Sequence, residues 1–173
     1  MKRFYIADTH FFHNSIIKDC DRPFDSLKDM HNEIILQWNR KVGKNDMVYI
    51  LGDVASVLKE EDIMNVVSIL KTLNGKKILI VGNHDRETIK NFKFRKCFVE
   101  IKDYCRVYDE GKKVVLLHFP MECWEGDRKG VIHLHGHVHK DPLSKKENRY
   151  NVGVDEIGYA PKTLKEIIYD NYK

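Results

Sequence analysis

Four histidines occupy every second position in one short run of the chain, residues 133–139. In an extended strand, side chains two residues apart share a face, so the four imidazole rings would point the same way. An apolar core is a poor place for such a row, because each ring carries nitrogen atoms that need hydrogen-bond partners. The spacing therefore indicates metal-ligand chemistry.

Polar residues also follow four earlier runs that are typical of strands. They are Asp8 and His10 after the first run, Asp53 after the second, Asn83, His84 and Asp85 after the third, and His118 after the fourth. In open α/β sheets, ligands bind at the carboxyl ends of the strands, so we expect these residues to meet His137 and His139 there. Imidazole and carboxylate ligands without a thiolate suit zinc, iron, manganese or nickel.

Seven of these nine residues are candidate ligands, and seven are too many for one tetrahedral ion. Two ions that share a bridging carboxylate fit this number better, and such two-metal sites are typical of phosphatases and nucleases. Gly52, Gly82 and Gly136 each precede a candidate ligand, and a residue without Cβ permits a sharp turn and leaves room beside a metal.

The elements that would position these residues can be read from hydrophobic periodicity. Apolar residues at a helical spacing predict a helix that begins after Ser26 and a second helix over residues 60–73. Strands that alternate with helices in the first half indicate a parallel sheet, and the strand-rich second half indicates a second, more antiparallel sheet. A short helix at residues 87–91, a strand at 150–154 and a terminal helix at 163–169 complete the prediction. The length of 173 residues predicts a single domain, residues 1–173.

The composition excludes several classes of protein. Apolar content is 42%, charged content is 32% and the net charge is +4, which is ordinary for a globular protein. No aromatic-interleaved basic stripe is visible, so a nucleic acid partner is possible but not indicated. The four cysteines form no Cys-x-x-Cys pair, and no apolar run approaches the ~20 residues of a membrane span. We therefore expect a cytoplasmic protein without a membrane partner, and oligomeric state cannot be predicted.

Taken together, the motifs resemble those of one known family. Asp8-x-His10, Gly52-Asp53, Gly82-Asn83-His84-Asp85, His118 and Gly136-His137-x-His139 are similar to the motifs of the calcineurin-like metallophosphoesterases, in the order of that family. Small bacterial and phage-type members, which lack a cap domain, resemble the chain most. The resemblance implies an α/β fold, a two-sheet αββα sandwich with helices on the outside.

The resemblance also implies a role for each matching residue. One divalent ion would be bound by Asp8, His10, Asp53 and His139, and the other by Asp53, Asn83, His118 and His137. Manganese is the first expectation, with iron, zinc or nickel as alternatives. His84 would contact the phosphate or the leaving oxygen, and Asp85 would orient His84. Many members carry an acidic residue three positions after the bridging aspartate, where this chain has Ser56.

The activity that follows is the hydrolysis of a phosphoric ester. A hydroxide that bridges two metal ions would attack the phosphorus of a phosphodiester or of a small phosphorylated substrate such as a nucleotide. A phosphomonoesterase and a nuclease are alternatives at the same site. A binding module of the same fold without catalysis is the alternative from another class. The presence of every ligand position and of His84 argues against that module.

The roles of several residues near the motifs stay open. His13 and Arg22 follow the first motif and are candidate substrate-binding residues. Arg22 would bind a phosphate bidentately, or it is a surface arginine. His133 and His135 are expected to support their strand rather than to bind metal.

Three further residues have no direct link to a motif. His31 is expected to be solvated on a polar helix face. Met121 and Trp124 would line a substrate pocket or cover the edge of a sheet.

Overall fold

The apolar runs that end in polar motifs form the strands of a parallel sheet. The computed structural model of the chain describes residues 1–57 and 59–171. The first sheet has four parallel strands in chain order: β1 (Arg3–Ile6), β2 (Met47–Ile50), β3 (Lys76–Ile80) and β4 (Glu100–Lys102). Because the strands are parallel, their carboxyl ends meet at one edge of the sheet.

Among the described residues, five α-helices connect the strands of the first sheet, and two more lie at the end of the chain. They are α1 (Ile16–Asp19), α2 (Leu27–Lys41), α3 (Glu60–Thr72), α4 (Asp85–Thr88), α5 (Phe92–Arg95), α6 (Val154–Ile157) and α7 (Leu164–Asp170). The Ser26 hydroxyl accepts a hydrogen bond from the Asp29 N–H, which confirms the predicted start of α2. None of the described helices has both the length and the apolar character that crossing a bilayer requires.

The second sheet differs from the prediction. Its strands are β5 (Tyr104–Asp109), β6 (Lys112–Leu117), β7 (Ile132–His135) and β8 (Arg149–Asn151). Only the β5–β6 hairpin is antiparallel, whereas β6–β7 and β7–β8 are parallel pairs. The expected antiparallel character is therefore wrong for two of three pairs, because long connections return the chain before β7 and β8.

Two boundary predictions also need correction. The short helix after β3 begins at Asp85, not at residue 87, and ends at Thr88. The last strand ends at Asn151, and Val154 already begins helix α6. Both helices have only four residues, and hydrophobic periodicity does not resolve such short elements.

The core lies in two layers. Helices α2 and α3 pack their apolar faces, which include Met30, Ile34 and Val66, against the outer side of the first sheet. Side chains of both sheets, among them Leu51 and Leu134, fill the space between the sheets. Burial on both faces explains why strand β3 ends in an apolar run, residues 78–80, after its two lysines.

The outer face of the second sheet is partly covered by a loop. Trp124, from the connection between β6 and β7, is only 7% exposed and packs with Val115 and Val131. The Trp124 indole N–H donates to the Val131 carbonyl at 2.9 Å. Of the two roles considered for Trp124 and Met121, the structure therefore supports covering of the sheet.

Candidate metal centre

The candidate ligands lie in tight turns directly after the strands. Five of them have a left-handed backbone with positive φ: Asp8 (59°), His10 (49°), Asp53 (53°), His137 (75°) and His139 (47°). Most residue types avoid this conformation, although aspartate, asparagine and histidine adopt it more often than other residues do. Such turns carry backbone strain, which the surrounding structure must offset, and they are frequent at functional sites.

Glycines make room for the carboxylates in these turns. A Cβ on Gly136 would lie 2.5 Å from Asp8 Oδ2, and a Cβ on Gly153 would lie 2.7 Å from the same atom. A Cβ on Gly82 would collide with Asp53 Oδ1. The carboxylates thus occupy the space that a larger residue would fill. Gly82 and Gly136 have the packing role that their place before a motif predicted, and Gly153 adds a third such position.

The structure brings the first predicted ligand set together. Donor atoms of Asp8, His10 and His139 all lie within 4.8 Å of one another. The Asp8 carboxylate also accepts two hydrogen bonds from the His137 N–H, at 3.1 and 3.0 Å, which join the loop after β1 to the loop after β7. Residues from both sheets therefore form one centre.

The second predicted set lies beside the first. Donor atoms of Asp53, His118 and His137 are also within 4.8 Å of one another. Asn83 Oδ1 lies 3.0 Å from both His118 Nε2 and His137 Nδ1, so the amide oxygen faces the same point. Three ring or amide groups and one carboxylate thus converge on a second position.

Asp53 lies between the two sets. Its Oδ2 atom is 3.6 Å from His10 Nε2 and 3.4 Å from His118 Nε2, one histidine from each set. Its Oδ1 atom accepts a hydrogen bond from the His84 N–H at 2.9 Å. This is the position that a bridging carboxylate would occupy.

Partners outside the centre orient several of the imidazole rings. His118 Nδ1 lies 2.7 Å from the Leu51 carbonyl, and His139 Nδ1 lies 2.8 Å from Asp155 Oδ2. When Nδ1 is held by such a partner, Nε2 is left for a metal. His10 is the clearest case, because its Nε2 atom is buried and has no hydrogen-bond partner among the described residues. A buried ring nitrogen that has no hydrogen-bond partner there and lies 3.6 Å from the Asp53 carboxylate fits a metal ligand.

The electrostatics of the centre also fit a bound cation. Burial raises the pKa of Asp8 to about 7, against the opposing effect of His118 and His139. Burial would raise the pKa of Asp53 as well, but its hydrogen bond to His118 and the charge of that ring lower it to about 2. Burial opposes protonation of His118, yet Asp53 raises its pKa. Two buried carboxylates therefore need positive charge, which divalent ions supply when they displace ligand protons.

His84 is placed at the open side of the centre. It is exposed, and its ring is 5.2 Å from the His10 ring and 5.5 Å from the His13 ring. His84 Nδ1 lies 3.1 Å from the Ser56 hydroxyl, so Ser56 contacts this ring. His13, half-buried beside His10, completes the rim.

Asp85 does not orient the His84 ring, and this prediction is wrong. Its carboxylate is fully buried and accepts hydrogen bonds from the backbone N–H groups of Asp53, Val54 and Gly82, at 2.8 to 2.9 Å. Burial raises the pKa of Asp85 to about 6 despite these bonds. Asp85 therefore fixes the loop after β2 against the loop after β3, which positions the Asp53 backbone.

Arg22 takes neither of its two predicted positions. Its side chain is completely buried, so it is not a surface arginine and faces no substrate. The guanidinium donates to both Asp155 oxygens at 2.9 Å, and to the carbonyl oxygens of Asp8 and Thr9. Arg22 thus supports the turn that carries Asp8 and the carboxylate that contacts His139.

Asp155 is the functional residue that sequence reasoning missed. It links Arg22 to His139, and its side chain is fully buried. Gly153 and Asp155 follow strand β8, and a glycine with a polar residue after a strand is the pattern that marks the other strand ends. That pattern could have indicated Asp155 as part of the site.

The remaining histidines support the fold. His31 is only 7% exposed and accepts a hydrogen bond from the Phe12 N–H through Nε2, so the expected solvated position is wrong. Its partner is distant in the sequence and could not be read from helix periodicity. His133 and His135 are buried in β7, and His133 Nε2 accepts a hydrogen bond from the Met121 N–H.

Two stacked sheets with this cluster at their strand ends define a metallophosphoesterase fold. A family model for calcineurin-like phosphoesterases matches residues 1–163. The chain therefore belongs to the calcineurin-like phosphoesterase family, whose members bind divalent metal.

The chain is also similar to particular relatives. An uncharacterised protein of Methanocaldococcus jannaschii, MJ1445, is 35% identical over 97% of this chain and 90% of its own length. The gene 66 protein of Mycobacterium phage D29 is 29% identical over 78% of this chain and 77% of its own length. A solved structure of a protein of unknown function from Aquifex aeolicus, AQ665, has a TM-score of 0.76 and 25% identity, and covers 97% of this chain and 98% of its own.

Proposed function

We propose that the protein is a dinuclear metal-dependent phosphodiesterase. One observation carries the proposal: the buried, unpaired Nε2 atom of His10 faces Asp53, whose other neighbour is the imidazole of His118. Two ligand sets that share one carboxylate are what a two-metal site requires. Asp8, His10, Asp53 and His139 would bind one ion, and Asp53, Asn83, His118 and His137 the other, with manganese as the first expectation.

The chain's own groups account for the remaining chemistry. Divalent ions, when bound, supply an acidified water with a pKa of roughly 7 and positive charge near the phosphorus. His84 is exposed beside this centre and would donate a proton to the leaving oxygen or a hydrogen bond to the phosphate. Ser56 holds Nδ1 of His84, which leaves Nε2 for the substrate. His13 lies at the same rim and is proposed to contact the substrate.

The open side of the centre favours a diester. Asn83 and His84 are exposed, and His13 and His137 are partly exposed, so a phosphate with two ester groups could enter. We further propose that residues 1–173 form one domain, since side chains of both sheets share one apolar cluster. A location in the cytoplasm remains our proposal from the cysteine pattern.

The test is hydrolysis of bis(p-nitrophenyl) phosphate beside p-nitrophenyl phosphate, with manganese and after chelation. We expect the diester to be hydrolysed faster, with two ions per chain by elemental analysis and no activity after chelation. Asp53→Asn should lower activity more than the ~10–100-fold cost of losing an outer partner of a ligand. Faster hydrolysis of the monoester would favour a phosphomonoesterase, and no hydrolysis by a metal-loaded protein would favour a binding module.

The role of His84 has a separate test. His84→Ala should lower the rate on a diester with an alkyl leaving group by ~10²–10⁴-fold, because that group needs a proton as it departs. The rate on the nitrophenyl ester should fall much less, since nitrophenolate leaves without one. Equal losses on both substrates would contradict the acid role and leave only phosphate binding.

A further inference from the structure

Aromatic and basic side chains lie together on the outer face of the second sheet. Along β5, Cys105 and Val107 face the other sheet, whereas Tyr104, Arg106 and Tyr108 alternate with them and face outward. Tyr104 is 42% exposed and Tyr108 is 64% exposed. The two rings are thus available to a partner, with a guanidinium between them.

This outward face of β5 borders a groove of about 580 Å³, between the β5–β6 hairpin and residues 125–131. Among the described residues that line the groove, Arg106, Lys112, Lys113 and Lys129 are basic, and Glu125 is acidic. Glu125 pairs with Arg106, which leaves the three lysines to give the groove its positive charge. Such a groove complements a polyanion.

The aromatic side chains lead from the groove toward the metal centre. Tyr104 pairs across the sheet with Leu117, the residue before His118. Phe119, 38% exposed, follows His118, and its ring lies 4.6 Å from the ring of His137. Tyr104 and Tyr108 are about 14 Å apart along the strand, by the ~3.4 Å rise of each strand residue. An extended chain of planar groups could therefore contact both tyrosines and reach the centre.

We propose that this face, defined by Tyr104, Arg106, Tyr108 and the three groove lysines, binds single-stranded nucleic acid. Unpaired bases stack on exposed aromatic rings, and basic side chains contact the phosphates. Bases in a duplex are already stacked, so the tyrosines favour a single strand. Delivery of a phosphodiester from this strand to the metal centre rests on the proposed phosphodiesterase function, whereas binding does not.

The sequence alone did not reveal this face. The β5 segment supplies two tyrosines but only one basic residue, Arg106, which is too few to form a basic stripe in the sequence. The lysines come from the β5–β6 hairpin and from the turn before β7. Folding brings the two groups side by side. The proposal therefore goes beyond the expectation from the sequence, in which a nucleic acid partner is possible but not indicated.

The experiment measures binding of a labelled phosphorothioate oligothymidylate to the full metal-loaded chain by fluorescence anisotropy. The phosphorothioate linkage keeps the charge of the strand and slows hydrolysis. Tyr108→Ala should weaken binding by ~10-fold or more, the effect of losing one stacked base. Lys113→Gln with Lys129→Gln should weaken binding and reduce the slope of log affinity against log salt by ~0.7 for each lost phosphate contact.

A matched control lies on another part of the molecule. Phe92 is 65% exposed, and the Lys96 ammonium lies 4.4 Å from the centre of its ring, so Phe92→Ala with Lys96→Gln removes an equivalent aromatic–cation pair. This control should leave binding unchanged. Equal losses in the control and groove variants would overturn the proposal. So would equal binding of a duplex or of heparin, or no effect of the groove variants.

Hydrolysis of the small diester separates this proposal from the proposed function. Tyr108→Ala should leave that hydrolysis unchanged. If the small diester is hydrolysed but the oligonucleotide does not bind, the nucleic-acid surface is overturned and the enzyme stands. If groove-dependent binding occurs without any hydrolysis, the surface stands and the proposed activity is overturned.

Discussion

At the scale of single residues, the candidate ligands combine a chemical and a conformational requirement. Asp8, His10, Asp53, His137 and His139 have positive φ angles, and aspartate and histidine tolerate this backbone better than most residues. The side chains that suit a divalent ion are thus among those that suit the turn. Replacing one of them by a β-branched residue would remove a ligand and also strain the turn.

Asp155 contacts both Arg22 and His139. These contacts predict that a change at Asp155 affects one of the two proposed ions more than the other. Asp155→Asn keeps the shape of the side chain but removes the charge that pairs with Arg22 and orients His139. In the proposed dinuclear centre, affinity for the ion that His139 would bind should fall by ~10–100-fold. The other ion should bind as before. Calorimetric metal titration of protein shown to be folded by circular dichroism gives the two affinities.

The control for this variant is an exposed ion pair. The Arg86–Asp103 pair has side chains that are 60% and 70% exposed, so Asp103→Asn should change neither affinity. Equal weakening of both ions in Asp155→Asn would contradict a specific role for Asp155 in holding His139.

Gly136 offers a second test at this scale. In Gly136→Ala, the new methyl group would lie 2.5 Å from Asp8 Oδ2 and 2.6 Å from Ala7 Cβ. The crowding should cost ~1–3 kcal/mol of folding stability and displace a carboxylate ligand, so metal affinity should fall. In the control Gly43→Ala, the nearest atom is the Asp46 carboxylate at 3.1 Å, on a side chain that can move. Normal metal binding by Gly136→Ala would contradict the packing role.

At the scale of elements, strands were predicted better than their pairing. Strand β3 could be read from its apolar run because burial on both faces is a local property of the sequence. The parallel direction of β7 and β8 depends on long connections, which periodicity does not describe. Asp85 and Arg22 were misassigned for the same reason. Their partners are backbone groups and a carboxylate up to 133 positions away, which only the fold brings near.

Helix α7 carries the clearest local stabilising feature. The Thr163 hydroxyl accepts from the Glu166 N–H, and the Glu166 side chain accepts from the Thr163 N–H, which forms a capping box. Thr163→Ala should lower the free energy of unfolding by ~1 kcal/mol in urea titrations. The control Thr72→Ala removes a hydroxyl at the exposed end of α3 and should cost less than ~0.5 kcal/mol. Equal costs would show that the capping box adds nothing.

At the scale of the whole molecule, three buried histidines make stability depend on pH. Burial lowers the pKa values of His31, His133 and His135 to about 4, whereas an unfolded chain has a histidine pKa of ~6.5. Between these pKa values the unfolded state binds more protons than the folded state. The contribution of the three histidines to folding stability is therefore fully present above pH ~6.5 and is lost as the pH falls toward ~4.

Thermal melts from pH 7.5 to 5 would show this loss. His31→Gln offers an oxygen that can still accept from the Phe12 N–H but does not titrate, so its melting temperature should fall less steeply with acid. Its stability at pH 7.5 should be lower than that of the original protein, because the new side chain packs differently. An identical pH slope in both proteins would show that the pKa of His31 does not differ between the folded and unfolded states, and would contradict the prediction.

The hydrogen bonds between the His137 N–H and the Asp8 carboxylate connect residues 129 positions apart. The first candidate ligands therefore leave the ribosome long before the last. At ~5–20 residues per second, on the order of 10 s separates Asp8 from His139 during synthesis. Until then, the ion proposed to bind both residues would meet only part of its ligand set. Metal uptake by a nascent chain would accordingly mark a late event, the arrival of the loop after β7.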